Sequence, residues 1–513
     1  MLDVFDLRLP PLADFLREPS PNSPPLLHNL PVPMPGGSSV YRFGPFELDA
    51  PRERLFRGAA RVRLSDPQFA ILLLLISHVG KVVSKEALAN AAWRKTAVTD
   101  NSIDQAISRL RKTLGSGKDR ERYIETVPNR GYRFAAPIER AQRHDPDVPD
   151  AASDEQLAAY RAFVQGENDV DTLDCDAILR ARRTFEDVLR ADPDYARAHV
   201  GLANACAFAY ESTRADAVPD LQALKLALHH ASKGCDLEPT LAEAWSTRAF
   251  VLCLNGDAHD AEAAACKAID LEPHDWRHAM RLSYVSWGEA RLRAARRVLG
   301  LCPGLALAHY LMATVFVARQ AFETALERLH DGCAAQDAQP KNTRGYPGVA
   351  LHLHRGRVLA AMGDVERAVD ELTRELEAPH RGHVYARECL ANTWYTLGAL
   401  RLREGARDAA TAAFKEALTV VRGHLFATAA LGLDAPSPAR RQNPNTIDLA
   451  VAQAIRLART GKHCDAAQVC ADALTQAPPG QAGWLLPAEP MLNATARPDI
   501  WASALALLRT RAT

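Results

Sequence analysis

"NSIDQAISRLRKTLG", residues 101–115, reads as a helix with two unlike faces. At about 100° per residue, Ile103, Ala106, Ile107, Leu110 and Leu114 fall on one stripe that must meet a core, and Gly115 supplies a stop. The opposite face holds Asn101, Gln105, Ser108 and Lys112, with Arg109 beside it and Arg111 on the flank. Such groups suit the major groove of DNA. Arg and Lys donate to guanine, Asn and Gln pair with adenine, and Ser and Lys hold phosphate. The same face also suits an ordinary solvated helix, and Ser102 with Gln105 is a candidate capping box.

"YIETVPNRGYRF", residues 123–134, lies just beyond. Two β-rich runs flank Pro128, Asn129, Arg130 and Gly131. Pro128 fixes φ, and Asn129 and Gly131 tolerate positive φ, so a hairpin with Arg130 at its tip is expected. A cationic tip suits a polyanion, or is only a solvated turn. Upstream, "FELD", "RLFR" and "RVRL" read as short strands. "LSDPQFAILLLLISHVG" reads as a helix with a Ser65–Gln68 capping box, Pro67 in its first turn and Gly80 at its end. "SKEALANAAW" is a second helix capped by Ser84, and the loop "RKTAVTD" leads to the third.

Strands, three helices and a hairpin, in that order over residues 41–137, resemble the OmpR/PhoB-type winged-helix DNA-binding domain. The resemblance is carried by "FGPFELD", "LSDPQFAILLLL", "GKVVSKEALANAAW", "SIDQAISRLRKTLG" and "YIETVPNRGYRF". It implies that helix 99–114 enters the major groove and that the hairpin is the wing, with Arg130 near the backbone or minor groove. It also implies that the loop of residues 94–100, opening on Arg94 and closing on Asp100, can contact RNA polymerase. Arg109, Gln105 and Asn101 are the expected base contacts; Ser108, Arg111, Lys112 and Arg130 are the expected phosphate and wing contacts. The two roles are exchangeable for some of them, since phosphate contacts outnumber base contacts. Response regulators of this kind carry a receiver domain before the module. Residues 1–40 are too few for one, so phosphorylation-driven dimerisation is not expected.

Outside the module, residues 1–40 read as a leader with nine prolines between Pro10 and Pro35, and residues 138–155, with Pro146 and Pro149, as a linker. Residues 156–513 read as helical repeats. Pro239 and Pro273 stand 34 residues apart, with Trp245, Ala249, Ala261, Ala265 and Ala268 between them. The pattern returns at Trp394, Leu397, Gly398, Ala410, Phe414 and Ala417, at Gly356, Leu359, Ala368 and Leu372, and at Ala466, Cys470, Ala473 and Pro478. Large residues facing small ones at this period resemble the tetratricopeptide repeat, in about seven to nine units. The expected fold is therefore an α+β winged helix-turn-helix domain followed by an all-α tetratricopeptide-repeat solenoid.

Such a fusion resembles the invasion-gene and type III secretion activators of the HilA/HrpG kind, and antibiotic regulators that join a similar module to helical repeats. The resemblance implies a sequence-specific transcriptional regulator, an activator, binding double-stranded promoter DNA. Its repeats would serve partner binding, self-association or signal sensing. The competing reading is an adaptor or co-chaperone whose repeats grip a peptide and whose basic module binds a protein.

Charge agrees with a local anionic partner. Formal net charge is zero overall, yet residues 41–140 hold 19 Lys/Arg against 11 Asp/Glu. None of the ten cysteines lies in this module and no Cys-x-x-Cys occurs, so they read as small buried hydrophobes in a reducing cytosol. The longest apolar run, "FAILLLLISHV", is too short to cross a membrane, and Asp3 and Asp6 stand where a signal peptide needs bases. The chain therefore reads as soluble and cytoplasmic. "GSGKD" at 115–119 lacks the phosphate-loop spacing, and neither His380 with His383 nor His352 with His354 has a supporting carboxylate or cysteine pattern. No enzyme, metal or cofactor is expected.

Overall fold

The structure, a computed structural model, describes residues 39–49, 54–58, 60–92, 100–115, 123–128, 130–142, 162–339, 346–378, 382–433, 446–477 and 483–513. Most of the expected leader, the loop around residues 93–99, Asn129 and residues 143–161 lie outside the described residues.

Strands β1 (Ser39–Phe43), β2 (Phe46–Asp49), β3 (Arg54–Arg57) and β4 (Ala60–Val62) form an antiparallel meander. Its alternation buries Tyr41, Phe43, Phe46, Leu48 and Leu55 on one face. Helix α1 (Asp66–Ser77) begins where Gln68 Oε1 accepts from the Ser65 N–H at 3.0 Å, the expected capping-box contact. It is apolar almost all round because it packs between the sheet and two more helices, α2 (Lys85–Ala92) and α3 (Asp100–Leu114). A short β5 (Val82–Val83) pairs with the second strand of the hairpin β6 (Ile124–Val127) and β7 (Gly131–Phe134).

Two boundaries differ from the sequence reading. β1 begins at Ser39, inside the expected leader, and β8 (Glu139–Gln142) falls inside the expected linker. β8 pairs with β1, Arg42 opposite Glu139 and Val40 opposite Ala141, so the sheet runs β4-β3-β2-β1-β8. "ERAQ" has no β-branched or aromatic residue; the free edge of β1, not local propensity, makes it a strand.

After a helical run over 162–170 comes α4 (Cys175–Ala191), then six successive helical hairpins. These are α5 (Ala196–Glu211) with α6 (Leu221–Leu237), α7 (Ala242–Asn255) with α8 (Ala258–Leu271), and α9 (Trp276–Val285) with α10 (Gly288–Leu301). They continue as α11 (Ala306–Ala318) with α12 (Phe322–Asp337), α13 (Leu351–Met362) with α14 (Val365–Glu377), and α15 (Ala386–Arg403) with α16 (Arg407–Val420). A short α17 (Leu425–Leu431), the pair α18 (Thr446–Arg459) and α19 (His463–Gln476), and α20 (Pro498–Arg511) close the chain. Each helix packs on its hairpin partner and on the next hairpin, which makes a tetratricopeptide-type solenoid. Large residues do meet small ones. A Cβ on Gly398 would stand 2.7 Å from the Phe414 ring, and one on Gly201 2.5 Å from the Phe185 ring.

The solenoid also returns on itself. The segment before α15 crosses to the first repeats: Cys175 N–H donates to Gly382 O at 2.8 Å and Val384 N–H to Leu173 O at 2.9 Å. Arg214 lies between Glu211 (3.1 Å) and Glu388 (2.8 Å), and Arg387 pairs with Asp216 at 2.6 Å. The C-terminal helix makes a second closure, with Arg319 Nε donating to Ala512 O at 3.0 Å and Gln320 to Leu505 O at 3.1 Å.

His424 caps α17, its Nδ1 accepting the Ala427 N–H at 3.1 Å, a role only an unprotonated ring nitrogen can fill. Burial, and then the nearby Arg357 charge, hold its pKa down to about 4. The unfolded chain takes up this proton near pH 6.5 and the folded one does not. Stability from this group is therefore complete above pH 6.5 and is lost as pH falls toward 4, by about 3 kcal/mol at most. Urea midpoints between pH 7 and 4 should fall less steeply in His424→Asn, which keeps a capping oxygen.

Candidate nucleic-acid interface

The apolar stripe of α3 is buried as its spacing requires: Ile103, Ala106, Ile107, Leu110 and Leu114 are all inside, in one core with Phe43, Leu72 and Phe134. Burying that stripe fixes which residues point out. Gln105, Ser108, Arg109 and Lys112 are exposed, and Asn101 lies in the first turn of the same helix. Arg130 is exposed in the β6–β7 turn, where its N–H donates to Val127 O at 3.0 Å. Among the described residues, Arg109, Lys112 and Arg130 have no carboxylate within ion-pair distance. The cations expected to meet a polyanion are thus left uncommitted.

The remaining polar groups hold α3 against its neighbours. Asp104 accepts from Tyr132 Oη on β7 at 2.6 Å and pairs with Lys85 of α2 at 2.9 Å. The Tyr132 and Lys85 hydrogen bonds hold the Asp104 carboxyl below its usual range. Burial first, then the bond to Asp104, pushes the Tyr132 hydroxyl up to about 12. Asp104 is thus the one carboxylate on α3 beyond its first residue, and it is kept anionic by its partners. Arg111, expected among the phosphate and wing contacts, turns inward to the hairpin. Its Nε donates to Ile124 O at 3.0 Å, its Nη2 to Thr126 Oγ1 at 2.8 Å, and its guanidinium lies 5.7 Å from the Tyr132 ring centre. Arg133 pairs with Glu125 across the hairpin at 2.6 Å.

Gly131 is needed where it stands. Its φ is +129°, and a Cβ there would run into the backbone carbonyl of Val83 on β5. The sequence pointed to this glycine as a turn residue. It gave no sign of β5, a two-residue strand visible only through its partner. It also gave no sign of the Asp104–Tyr132–Lys85 contacts, which join residues 19 and 28 positions apart.

Metal-type donor sets lie elsewhere. Among the described residues, Cys333, His352 and Glu371 bring donor atoms within 4.8 Å of one another, as do Glu272, Asp275 and His278. In the first set His352 Nδ1 already hydrogen-bonds Glu371 at 2.7 Å, and Arg355 pairs with Glu371 at 2.9 Å, which makes an internal ion network.

Residues 59–134 match the family model described as "Transcriptional regulatory protein, C terminal". Transcriptional regulator HilA of Salmonella typhi is 33% identical over 106 residues, 21% of this chain and 19% of that protein. Transcriptional activator CadC of Escherichia coli is 31% identical over 100 residues, 19% of this chain and 20% of that protein. The match thus spans about a fifth of the length of each relative. Among solved structures, the DNA-binding domain of Escherichia coli CadC is 29% identical and covers 21% of this chain and 100% of that one, with a TM-score of 0.19. A tetratricopeptide repeat protein from Parabacteroides merdae is 12% identical and covers 52% of this chain and 93% of that one, with a TM-score of 0.36. The module of α1–α3 and the hairpin is an OmpR/PhoB-type DNA-binding domain, homologous to the matched regions of the regulators HilA and CadC.

Arg111 separates two roles. As the link between α3 and the wing, Arg111→Met should destabilise the module by about 1–2 kcal/mol. It should also speed hydrogen exchange of the Ile124–Val127 amides in the full chain. Unchanged exchange with weakened DNA binding would make Arg111 a phosphate contact instead.

Proposed function

We propose that the chain is a sequence-specific DNA-binding transcriptional regulator, an activator, whose α3 reads base edges in the major groove of promoter DNA. The observation that carries this reading is the outer face of α3, where Gln105, Ser108, Arg109 and Lys112 stand exposed and uncompensated. Arg109, Gln105 and Asn101 meet base edges, Ser108 and Lys112 meet phosphate, and Arg130 reaches the backbone or minor groove beside the wing. The loop of residues 94–100 is the surface offered to RNA polymerase. The repeats carry partner binding, self-association or signal reception. Virulence or secretion genes, the kind of target that the resemblance to HilA suggests, are the first promoters to examine. Support for the whole reading comes from the homologous domain, the charge of residues 41–140 and the free cations on α3 and the wing.

The adaptor reading is weakened by one observation: the chain's own segments at 382–388 and 505–513 already bond to earlier repeats.

Full-length protein mixed with fragmented genomic DNA from its source should enrich a few promoter fragments at moderate salt. Arg109→Ala should lose that selectivity, by about 1–3 kcal/mol against the preferred site. Lys112→Ala should weaken all fragments alike and lower the salt slope by about 1. If both variants bind and select as the parent does, α3 is not the reading helix.

A further inference from the structure

The repeats form a partly open cavity of about 610 Å³, walled by residues from Leu173 to Glu489. That volume lies in the range of small-molecule sites. Its wall carries four arginines, and they are not alike. Arg214 is neutralised by Glu211 and Glu388. The other three meet only neutral groups. Arg281 donates to Asn204 Oδ1 at 3.3 Å and lies 4.0 Å from the Phe250 ring centre. Arg291 donates to the carbonyls of Ser283, Tyr284 and Ser286 and to Thr314 Oγ1, at 2.9–3.1 Å. Arg357 donates to Thr396 Oγ1 at 3.0 Å and Asn392 Oδ1 at 2.8 Å.

Among the described residues, none of these three has a carboxylate within 4.0 Å. Arg281 and Arg357 are only 7% and 2% exposed. Carbonyls and hydroxyls fix a guanidinium in place without cancelling its charge, and a buried uncancelled charge is costly. The nearby carboxylates offer little relief. Glu388 is taken by Arg214. Glu489 lies beyond 4.0 Å and opposes the burial of Arg357 only in part; its Oε1 accepts from the Tyr395 hydroxyl and the Met491 N–H, and burial raises its pKa. Asp448 is the other acid in the wall. The field shows in two histidines: burial, then Arg357, lowers the pKa of both His354 and His424.

The wall also offers flat surfaces. Tyr310, His354 and Trp484 form an aromatic corner, with ring centres 4.9, 5.1 and 6.1 Å apart. His354 Nδ1 is buried there without a hydrogen-bond partner among the described residues. Tyr284 and Tyr346 line the same space.

We propose that this cavity binds a small organic anion of up to mononucleotide size, whose phosphate or carboxylate completes Arg291 and Arg357 and whose flat ring packs on the Tyr310–His354–Trp484 corner. The anion cancels charges that the fold leaves uncancelled, as bidentate Arg–oxyanion pairing does. The wall runs from α5 to α18 and includes His383, Tyr385 and Glu388 of the segment that crosses to the first repeats, so an occupant links early and late repeats. Within the regulator proposed above, the anion is the signal that the repeats receive.

The test needs no DNA, so its outcome is independent of whether α3 reads promoters. Isothermal titration of the full chain with AMP and with anthranilate, beside adenosine and anthranilamide as neutral counterparts, distinguishes phosphate from carboxylate. At least one anion should saturate one site and bind tenfold or more tighter than its neutral counterpart. Arg357→Gln, which can still hydrogen-bond Asn392, should weaken that anion tenfold or more. It should leave the unliganded thermal midpoint unchanged or raised, because it removes an unpaired cation. Failure of both anions to saturate, or equal binding of a neutral counterpart, would overturn the proposal. Both of those readouts use the parent chain, so the test stands even if the variant does not fold.

Discussion

Burying one stripe of α3 is the constraint on which the DNA-binding module turns. Ile103, Ile107, Leu110 and Leu114 recur at the helical period, so the core they enter fixes the rotation of the helix about its axis. Once that rotation is set, Gln105, Ser108, Arg109 and Lys112 have only solvent to face. Asp104 is the exception that shows how the helix is then held. It sits at the edge of the stripe, and Tyr132 and Lys85 anchor it to β7 and α2. Arg111 does the same on the other flank. The exposed face is left cationic because the polar residues on its borders are engaged inside the module.

The repeats follow a different logic. Each hairpin closes because a large side chain seats on a small one, as Phe414 does on Gly398, and this needs only neighbours in sequence. Closing the solenoid needs long-range contacts. Arg214 makes one of these contacts, holding Glu211 three positions away and Glu388 174 positions away. These contacts bring early and late repeats around one partly open cavity whose wall carries a fixed set of charges.

Much of this was legible in the sequence, for physical reasons that also explain the gaps. Helical periodicity marked α3, Ser65–Gln68 marked the start of α1 that the structure reproduces, and the 34-residue step from Pro239 to Pro273 returns as the step from Ala242 to Trp276. These are local signals. β8 went unread because an edge strand such as "ERAQ" takes its conformation from its partner. The inward turn of Arg111 was missed because a helical wheel knows nothing of the hairpin packed beside it. The cavity was invisible for the same reason. Arg281 and Arg291 stand on the two helices of one hairpin and Arg357 in a later one, and nothing in their local sequence says that they share one space.

The most direct test of the central claim is dimethyl sulfate footprinting of the full chain on a selected promoter fragment. This reagent modifies guanine N7 in the major groove and adenine N3 in the minor groove, so it reports which groove is covered. Reading by α3 predicts protection of guanine N7 at the site, lost in Arg109→Ala. Protection confined to adenine N3, or guanine protection that survives Arg109→Ala and Gln105→Ala together, would contradict it.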